Sequence, residues 1–146
     1  MSFRVSVESV ICRNQGLYKE VLLVKRADNC KVAPGVWNVP AGKVEMLETT
    51  RVAVVRETFE ETNLKVDIIK FLAEQAFEIK VEDKKAFRNM FTYLTKPVDN
   101  FQQVELNDEH TEFKWVTKEG LESEQFSSLM PRLKALILQG FNHDTK

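Results

Sequence analysis

The chain has 146 residues, a formal net charge of −1 at pH 7, 43% hydrophobic residues and 29% charged residues. These values predict one domain over residues 1–146 with an ordinary hydrophobic core, and the near-neutral charge argues against a protein built to coat nucleic acid. No apolar run reaches the roughly 18 residues of a membrane-spanning helix, and the N-terminus lacks a signal-peptide pattern.

The first two predicted elements are strands over residues 3–13 and 20–27, separated by a turn at 14–16. Cys12 falls in the first strand, where we expect a small core residue. Arg26 closes the second strand. It is either a solvated strand end or a phosphate contact, because a guanidinium group matches phosphate oxygens with two parallel hydrogen bonds.

A loop is predicted over residues 28–35, and Trp37 after it is expected in the core. Cys30 lies in this loop. The two cysteines of the chain have no metal-ligand spacing, so we expect reduced thiols in a cytoplasmic protein. Pro40 fixes its φ angle and Gly42 permits φ values closed to other residues. Together they can turn the chain and direct a main-chain carbonyl at a metal ion.

A helix is predicted from Thr49 or Thr50, either of which can cap it, to residues 62–63. Three glutamates are spaced i, i+3 and i+4, so they share one face of this helix: Glu57, Glu60 and Glu61. The opposite face is expected to be apolar and buried, and it carries Val52, Val55 and Phe59.

The acidic face has two interpretations. It is either an ordinary solvated helix face or a metal site, since like charges at i,i+4 cost about 0.2–0.5 kcal/mol per pair without a partner. Mg²⁺ is the natural partner, because it takes one or two carboxylates and fills its other positions with water and substrate phosphates.

The residues around this face have a distinctive spacing. Gly42 is followed by five residues, Glu48, seven residues and then Arg56-Glu57-Thr58-Phe59-Glu60-Glu61-Thr62-Asn63-Leu64. This resembles the Nudix box, G-x5-E-x7-R-E-U-x-E-E-x-G-U, in which U is aliphatic. All six glycine and charged positions from Gly42 to Glu61 match. Thr58 replaces the usual aliphatic residue and Asn63 replaces the second glycine, although asparagine also suits a left-handed helix end.

The resemblance implies roles for particular residues. Metal ions, Mg²⁺ with Mn²⁺ as the alternative, would be held by Glu57, Glu60, Glu61 and the carbonyl of Ala41. Arg56 would hold the glutamates in place by pairing with Glu48. In MutT-type members an arginine near Arg26 reaches the nucleotide, so Arg26 and Gly42 are the predicted substrate contacts.

The later predicted elements are strands over 77–81, 87–94 and 113–116, a hairpin turn over 82–85, and a helix over 129–137. The resulting order, β-β-β-α-β-β-β-α, predicts a mixed sheet between helices. This agrees with the α/β (α+β) class and the α/β/α sandwich that the resemblance implies.

The polar loop over residues 105–112 resembles the family segment that supplies one more ligand or a base. Glu109 is the first candidate, His110 the second and Glu105 the third. A histidine titrates near neutral pH, which suits a general base. The alternative is a solvated acidic loop.

The resemblance therefore implies a hydrolase that cleaves a phosphoanhydride bond in a nucleoside diphosphate linked to another group, nucleoside triphosphates included. Water would attack phosphorus, and Glu57, Glu109 or His110 would take its proton. ADP-ribose is not favoured, because Ile79-Lys80-Val81 stands where that subfamily often has a proline. Aromatic side chains available for stacking on a base are Phe77, Phe87, Phe91 and Tyr93, most of which are expected in the core.

Three alternatives stay open at this stage. They are a sugar-nucleotide hydrolase with His110 as base, a Nudix-fold sensor that binds a nucleotide without cleaving it, and a structural protein. The predicted partner is a nucleotide-type small molecule, with no nucleic acid and no membrane, and a homodimer is left open.

Overall fold

The computed structural model describes residues 2–143. Its strands are β1 (Ser2–Gln15), β2 (Tyr18–Arg26), β3 (Trp37–Asn38), β4 (Ala41–Lys43), β5 (Val66–Val81), β6 (Lys84–Pro97) and β7 (His110–Thr117). Its α-helices are α1 (Thr50–Thr62) and α2 (Pro131–Asn142), and two short 3-10 turns lie before α2. None of the helices described is both long and apolar enough to span a membrane.

Strand β1 is the centre of the sheet. It pairs in parallel with β6 along one edge, whereas on its other edge it pairs antiparallel first with β4 and then with β2. β2 in turn pairs with β3 and β7. Residues 37–43 therefore cross from β2 to β1 at the place where these two strands diverge. This divergence positions Ala41 and Gly42 beside the acidic end of α1.

The two helices pack on opposite faces of the sheet. Odd-numbered β1 and β6 residues such as Val7 and Tyr93 contact α1, and even-numbered residues such as Val10 and Leu94 contact α2. Successive strand side chains point to opposite faces, so this division follows directly from the alternation. The predicted mixed sheet between helices is confirmed.

Helix α1 begins and ends where the sequence predicts. The Thr49 hydroxyl accepts a hydrogen bond from the Val52 N–H at 3.2 Å. At the other end Asn63 adopts a left-handed φ of 63°, and its N–H donates to the Phe59 carbonyl. Both ends are thus fixed by local chemistry, the first by a side-chain cap and the second by a residue that tolerates positive φ.

The prediction of an apolar buried face on α1 was wrong. Val52 is 56% exposed and Phe59 is 43% exposed, and only Val55 packs against the core. The buried residues are Ala53, Val54, Thr58, Glu61 and Thr62. Thr58 and Thr62 tolerate burial because their hydroxyls donate to the carbonyls four residues earlier, at 2.7 and 2.6 Å. The buried face is therefore apolar at its first turn, with Ala53 and Val54, and polar at its end, where it carries Glu61 into the protein.

The predicted strands are present with different bounds, and one strand was missed. The strand predicted over 77–81 begins at Val66, and β4 is too short for any alternation to reveal. The predicted hairpin turn narrows to Glu82 and Asp83, both at positive φ, as a two-residue hairpin with matched twist requires. Trp37 and Cys12 are in the core as predicted, and both cysteines are free thiols.

The left-handed conformation of Asn63 leads to a stability prediction. Asn63→Ala should lower the free energy of unfolding by about 1 kcal/mol, because a Cβ without a hydrogen-bonding group is strained at this φ. Asn63→Gly should leave the free energy unchanged or raise it. Urea denaturation measures both variants, and equal stability of the alanine and glycine variants would contradict the assignment.

Candidate active site

The close approach of Gly42 to Glu57 organises the site. A Cβ built on Gly42 would overlap the Glu57 carboxylate, so only glycine lets that carboxylate lie against the main chain. The sequence analysis expected Gly42 for its φ angle, and this reason was wrong. Among residues 2–143 the glycines at positive φ are Gly16 and Gly35. Gly42 is needed for contact rather than for backbone conformation.

Glu61 is the buried member of the site, with 1% of its surface exposed. Its Oε1 accepts a hydrogen bond from the Ala41 N–H at 3.2 Å, and its Oε2 has no hydrogen-bond partner in the part of the chain that the structure describes. Burial raises the pKa of Glu61 well above its usual value, and the neighbouring carboxylates of Glu57 and Glu109 raise it further. Removing water from a carboxylate beside two others leaves a strong demand for positive charge.

The loop before β7 completes the cluster. Ligand atoms of Glu61, Glu109 and His110 all lie within 4.8 Å of one another. This loop is held in place by main-chain bonds, from the Ala27 N–H to the Glu109 carbonyl at 2.8 Å and from the Asn107 N–H to the Glu61 carbonyl at 3.3 Å. It is therefore tied both to the end of β2 and to the end of α1.

His110 is buried beneath this cluster. Its Nε2 is 3.8 Å from Glu61 Oε1, its Nδ1 has no partner, and its side chain is 1% exposed. Burial lowers the pKa of His110 to about 4, and the charge on Arg26 acts in the same direction. The imidazole is consequently neutral at neutral pH.

Arg56 joins the acidic residues at the edge of the site. Its Nε and one terminal nitrogen donate to the two oxygens of Glu48 at 2.6 and 2.7 Å. Its other terminal nitrogen donates to Glu57 at 2.9 Å and to Glu60 at 3.1 Å. The hydrogen bonds from Arg56 lower the pKa of Glu48 to about 2, with help from the Glu45 main chain. Arg56 thus fixes Glu57 from the side opposite Glu61.

The predicted site residues separate into three groups. Those brought together are Ala41, Gly42, Glu57, Glu61, Glu109 and His110. Those beside them are Arg56 and Glu48, with Glu60 turned outward, 53% exposed and bonded to Arg56. Arg26 lines the neighbouring cleft and donates to the Val32 carbonyl at 2.7 Å, whereas Glu105 is exposed and outside the cluster.

The residues present fit a divalent cation. The donors are carboxylate oxygens, which Mg²⁺ and Mn²⁺ prefer, and the buried Oε2 of Glu61 has no hydrogen-bond partner among residues 2–143. Glu57, Glu61 and Glu109 would provide the ligands, with the main chain at Ala41 beside them. Glu60 lies further out, with a side chain that is 53% exposed and one oxygen bonded to Arg56.

The cluster opens into a cleft of about 660 Å³. Glu57 and Glu109 lie at its acidic end together with Gly42, and the rest of the wall is largely basic and apolar. Of the four aromatic residues considered for stacking, only Phe77 lines this cleft. The Arg132 guanidinium lies over its ring, 4.4 Å from the centroid.

The sequence analysis did not single out three cleft arginines, Arg4, Arg88 and Arg132. The alternation of side chains along a strand could have assigned Arg4 to one face of β1 and Arg88 to one face of β6. No local signal pairs β1 with β6, so their proximity could not be read from the sequence.

The ion pair of Glu48 makes stability depend on pH. Its folded pKa of about 2 is below the ordinary 4.5. The stabilisation is therefore present above pH 4.5 and is lost as the pH falls towards 2. Glu48→Gln should have a lower free energy of unfolding than the wild type at pH 7. This difference between the two proteins should become smaller as the pH falls. Urea denaturation at pH 7, 5 and 3 measures this, with Glu119→Gln as control, and a gap that stays constant down to pH 3 would contradict it.

The contact between Gly42 and Glu57 predicts the effect of one methyl group. Gly42→Ala should displace the Glu57 carboxylate and abolish the rise in melting temperature that we expect Mg²⁺ to produce in the wild type. The double variant Gly42→Ala/Glu57→Ala should recover stability that the single variant loses, because the overlapping group is gone. Thermal unfolding with Mg²⁺ and with EDTA tests both points. An unchanged Mg²⁺ response in Gly42→Ala would show that Glu57 is not held as described.

Known proteins that are similar to this chain carry nudix or MutT names. A Caenorhabditis elegans protein named as a nudix hydrolase is 46% identical over 67 residues, which make up 46% of this chain. The chain covers only 18% and 36% of the lengths of the two curated relatives it matches. The MutT protein from Methanosarcina mazei Go1 superposes with a TM-score of 0.72 and 27% identity, covering 99% of this chain and 97% of that one.

A second solved structure, a C. elegans Ap4A hydrolase binary complex, superposes with a TM-score of 0.74 over 95% of each chain. The two sequences are 23% identical, and at this level the likeness shows only that the two proteins share a fold. The family model described as the NUDIX domain matches residues 2–136. Since this match spans nearly the whole chain, the chain belongs to the NUDIX family.

Proposed function

We propose that this chain is a divalent-cation-dependent hydrolase. Its reaction is cleavage of a phosphoanhydride bond in a nucleoside diphosphate linked to another group. One observation carries the proposal: the buried carboxylate of Glu61 lies beside those of Glu57 and Glu109, at one end of an open cleft whose remaining wall is largely basic and apolar. A site with this charge layout suits an anionic substrate whose reacting phosphate is brought to the carboxylates by a cation.

A cation held by the three carboxylates supplies positive charge for phosphate oxygens and lowers the pKa of water. The chain provides the rigidity that this chemistry needs. Glu57 is fixed between Gly42 and Arg56, and Glu61 is fixed by the Ala41 N–H. Arg56 is itself held by both oxygens of Glu48, so the carboxylates are positioned before substrate binds.

Glu57 and Glu109 are the candidates to take the proton from the attacking water. Both line the cleft and can reach a substrate there. His110 is assigned a positioning role instead. Its side chain is 1% exposed and its Nε2 lies 3.8 Å from Glu61 Oε1, so it is placed to act on that carboxylate rather than on a water in the cleft. This favours a carboxylate base over the histidine base of the sugar-nucleotide alternative.

The substrate class rests on the cleft rather than on the relatives. One similar structure is an Ap4A hydrolase, but at 23% identity it supports the fold only. In the cleft, the aromatic ring of Phe77 and the arginines beside it offer an apolar, planar surface next to positive charge. A nucleotide, which combines a flat base with phosphates, matches both features.

Release of phosphate or nucleotide product with Mg²⁺ tests the proposal. The panel contains nucleoside triphosphates, oxidised nucleotides, ADP-ribose, dinucleoside polyphosphates and sugar nucleotides. Turnover is expected on at least one class. Glu61→Gln should lower it by about 100-fold or more, because the cation contributes several kcal/mol to the reaction. The matched control is Glu119→Gln, an exposed carboxylate outside the cleft.

Two results would overturn parts of this assignment. Full activity in Glu61→Gln would remove the metal role from the buried carboxylate. A wild-type protein that binds a nucleotide from the panel but turns over none of them would instead be a nucleotide sensor.

A further inference from the structure

Two arginines lie side by side in the wall of the cleft. Arg4 of β1 and Arg88 of β6 are register partners in adjacent parallel strands, and both line the cleft. Arg4 is exposed, whereas Arg88 is only 7% exposed. Like charges placed directly opposite each other in a sheet are destabilising. The fold therefore keeps two positive charges together at a place where neither gains from the other.

No carboxylate neutralises this pair. Within residues 2–143, neither Arg4 nor Arg88 has an acidic oxygen within 4.0 Å, the ion-pair limit, although Glu78 also lines the cleft. The Arg88 guanidinium donates one hydrogen bond, to the Phe87 carbonyl at 3.0 Å. Arg132, in the same cleft, is different, because it pairs with Glu8 at 2.8 Å. Arg4 and Arg88 thus differ from Arg132, and they are the two unpaired arginines of the described cleft that stand directly beside each other.

The electrostatics of Arg88 agree with this description. Burial lowers its pKa from the ordinary value, and the charge on Arg4 lowers it further. A guanidinium group nevertheless stays protonated in proteins. Because the Arg88 guanidinium donates a single hydrogen bond within residues 2–143, most of its N–H groups lack an acceptor there, and a bound anion would supply one.

The pair is set apart from the acidic cluster. In β4, Gly42 is the register partner of Val7, and Arg4 lies three residues further along β1. At a rise of about 3.3 Å per residue this is roughly 10 Å along the strand. The acidic cluster and the arginine pair therefore occupy different parts of the same cleft, with Ser6 between them.

We propose that Arg4 and Arg88 form a second anion subsite, which binds a phosphate that is not part of the bond being cleaved. The inference rests on the proposed function and names the substrate class more narrowly, as nucleotides with an additional phosphate group. Guanidinium groups suit this role because their N–H forks bind phosphate oxygens in pairs. The additional phosphate is either a continuation of the polyphosphate chain or a monoester on another part of the substrate.

Matched substrate pairs distinguish these two sources. Comparing adenosine 5′-tetraphosphate with ATP tests whether the subsite binds a longer polyphosphate chain. Comparing coenzyme A with its dephospho form tests whether the subsite binds a phosphate monoester. The wild type should prefer the phosphate-richer member of one pair. Arg4→Gln and Arg88→Gln should each lower kcat/KM for that member by about 10- to 100-fold, as expected for a lost charge-assisted hydrogen bond. For the other member the change should stay within about threefold.

The control is Lys85→Gln, which removes one positive charge from an exposed residue of β6 that does not line the cleft. This variant should leave kcat/KM unchanged for both members of each substrate pair. Thermal unfolding checks that the variants are folded. If Arg88→Gln does not fold, Arg4→Gln decides, because Arg4 is exposed. The inference would be overturned if an arginine variant lowered kcat/KM equally for both members of a substrate pair. It would also be overturned if neither arginine variant lowered kcat/KM.

A binding measurement separates this inference from the proposed function. Calorimetry gives the Kd of adenosine 5′-tetraphosphate and of coenzyme A for the wild type and for Arg4→Gln. Weaker binding to the variant supports the subsite even if the wild type hydrolyses nothing, in which case only the proposed function fails. Equal Kd values for both probes overturn the subsite whether or not there is turnover.

Discussion

The burial of the Glu61 carboxylate is the constraint on which the rest of the site depends. An ionised carboxylate is costly away from water unless it is paired, and here two further carboxylates surround it. The Ala41 N–H satisfies one oxygen and leaves the other without a partner. Such an arrangement is compatible with a stable fold when a proton or a cation occupies it. The raised pKa of Glu61 and the proposed cation site are therefore two consequences of the same burial.

The surrounding structure holds the crowded carboxylates in place rather than relieving the crowding. Arg56 neutralises Glu48 and Glu57 at the edge of the site, where water still reaches. It does not reach Glu61. On the buried side of α1, Thr58 and Thr62 each donate their hydroxyl to a carbonyl within the helix. The helix can consequently turn a polar face towards the protein and carry Glu61 with it.

The divergence of β1 and β2 gives the site its position and its opening. The short strands β3 and β4 fill the gap between them, so Ala41 and Gly42 meet the end of α1 there. The cleft wall continues along the first parts of β1 and β6, which carry Arg4 and Arg88. The strand gap thus sets the acidic end of the cleft, whereas the parallel pairing of β1 with β6 places the two arginines side by side.

Local chemistry in the sequence was sufficient for α1 and for the acidic residues it carries. The Thr49 cap, the left-handed Asn63 and the i, i+3, i+4 spacing of the glutamates depend only on near neighbours in the chain. The family resemblance added the pairing of Arg56 with Glu48. Tertiary structure decided which face of the helix was buried, because that depends on the sheet against which it packs. It also decided the contact of Gly42 with Glu57 and the pairing of Arg4 with Arg88, since strand register joins residues far apart in sequence.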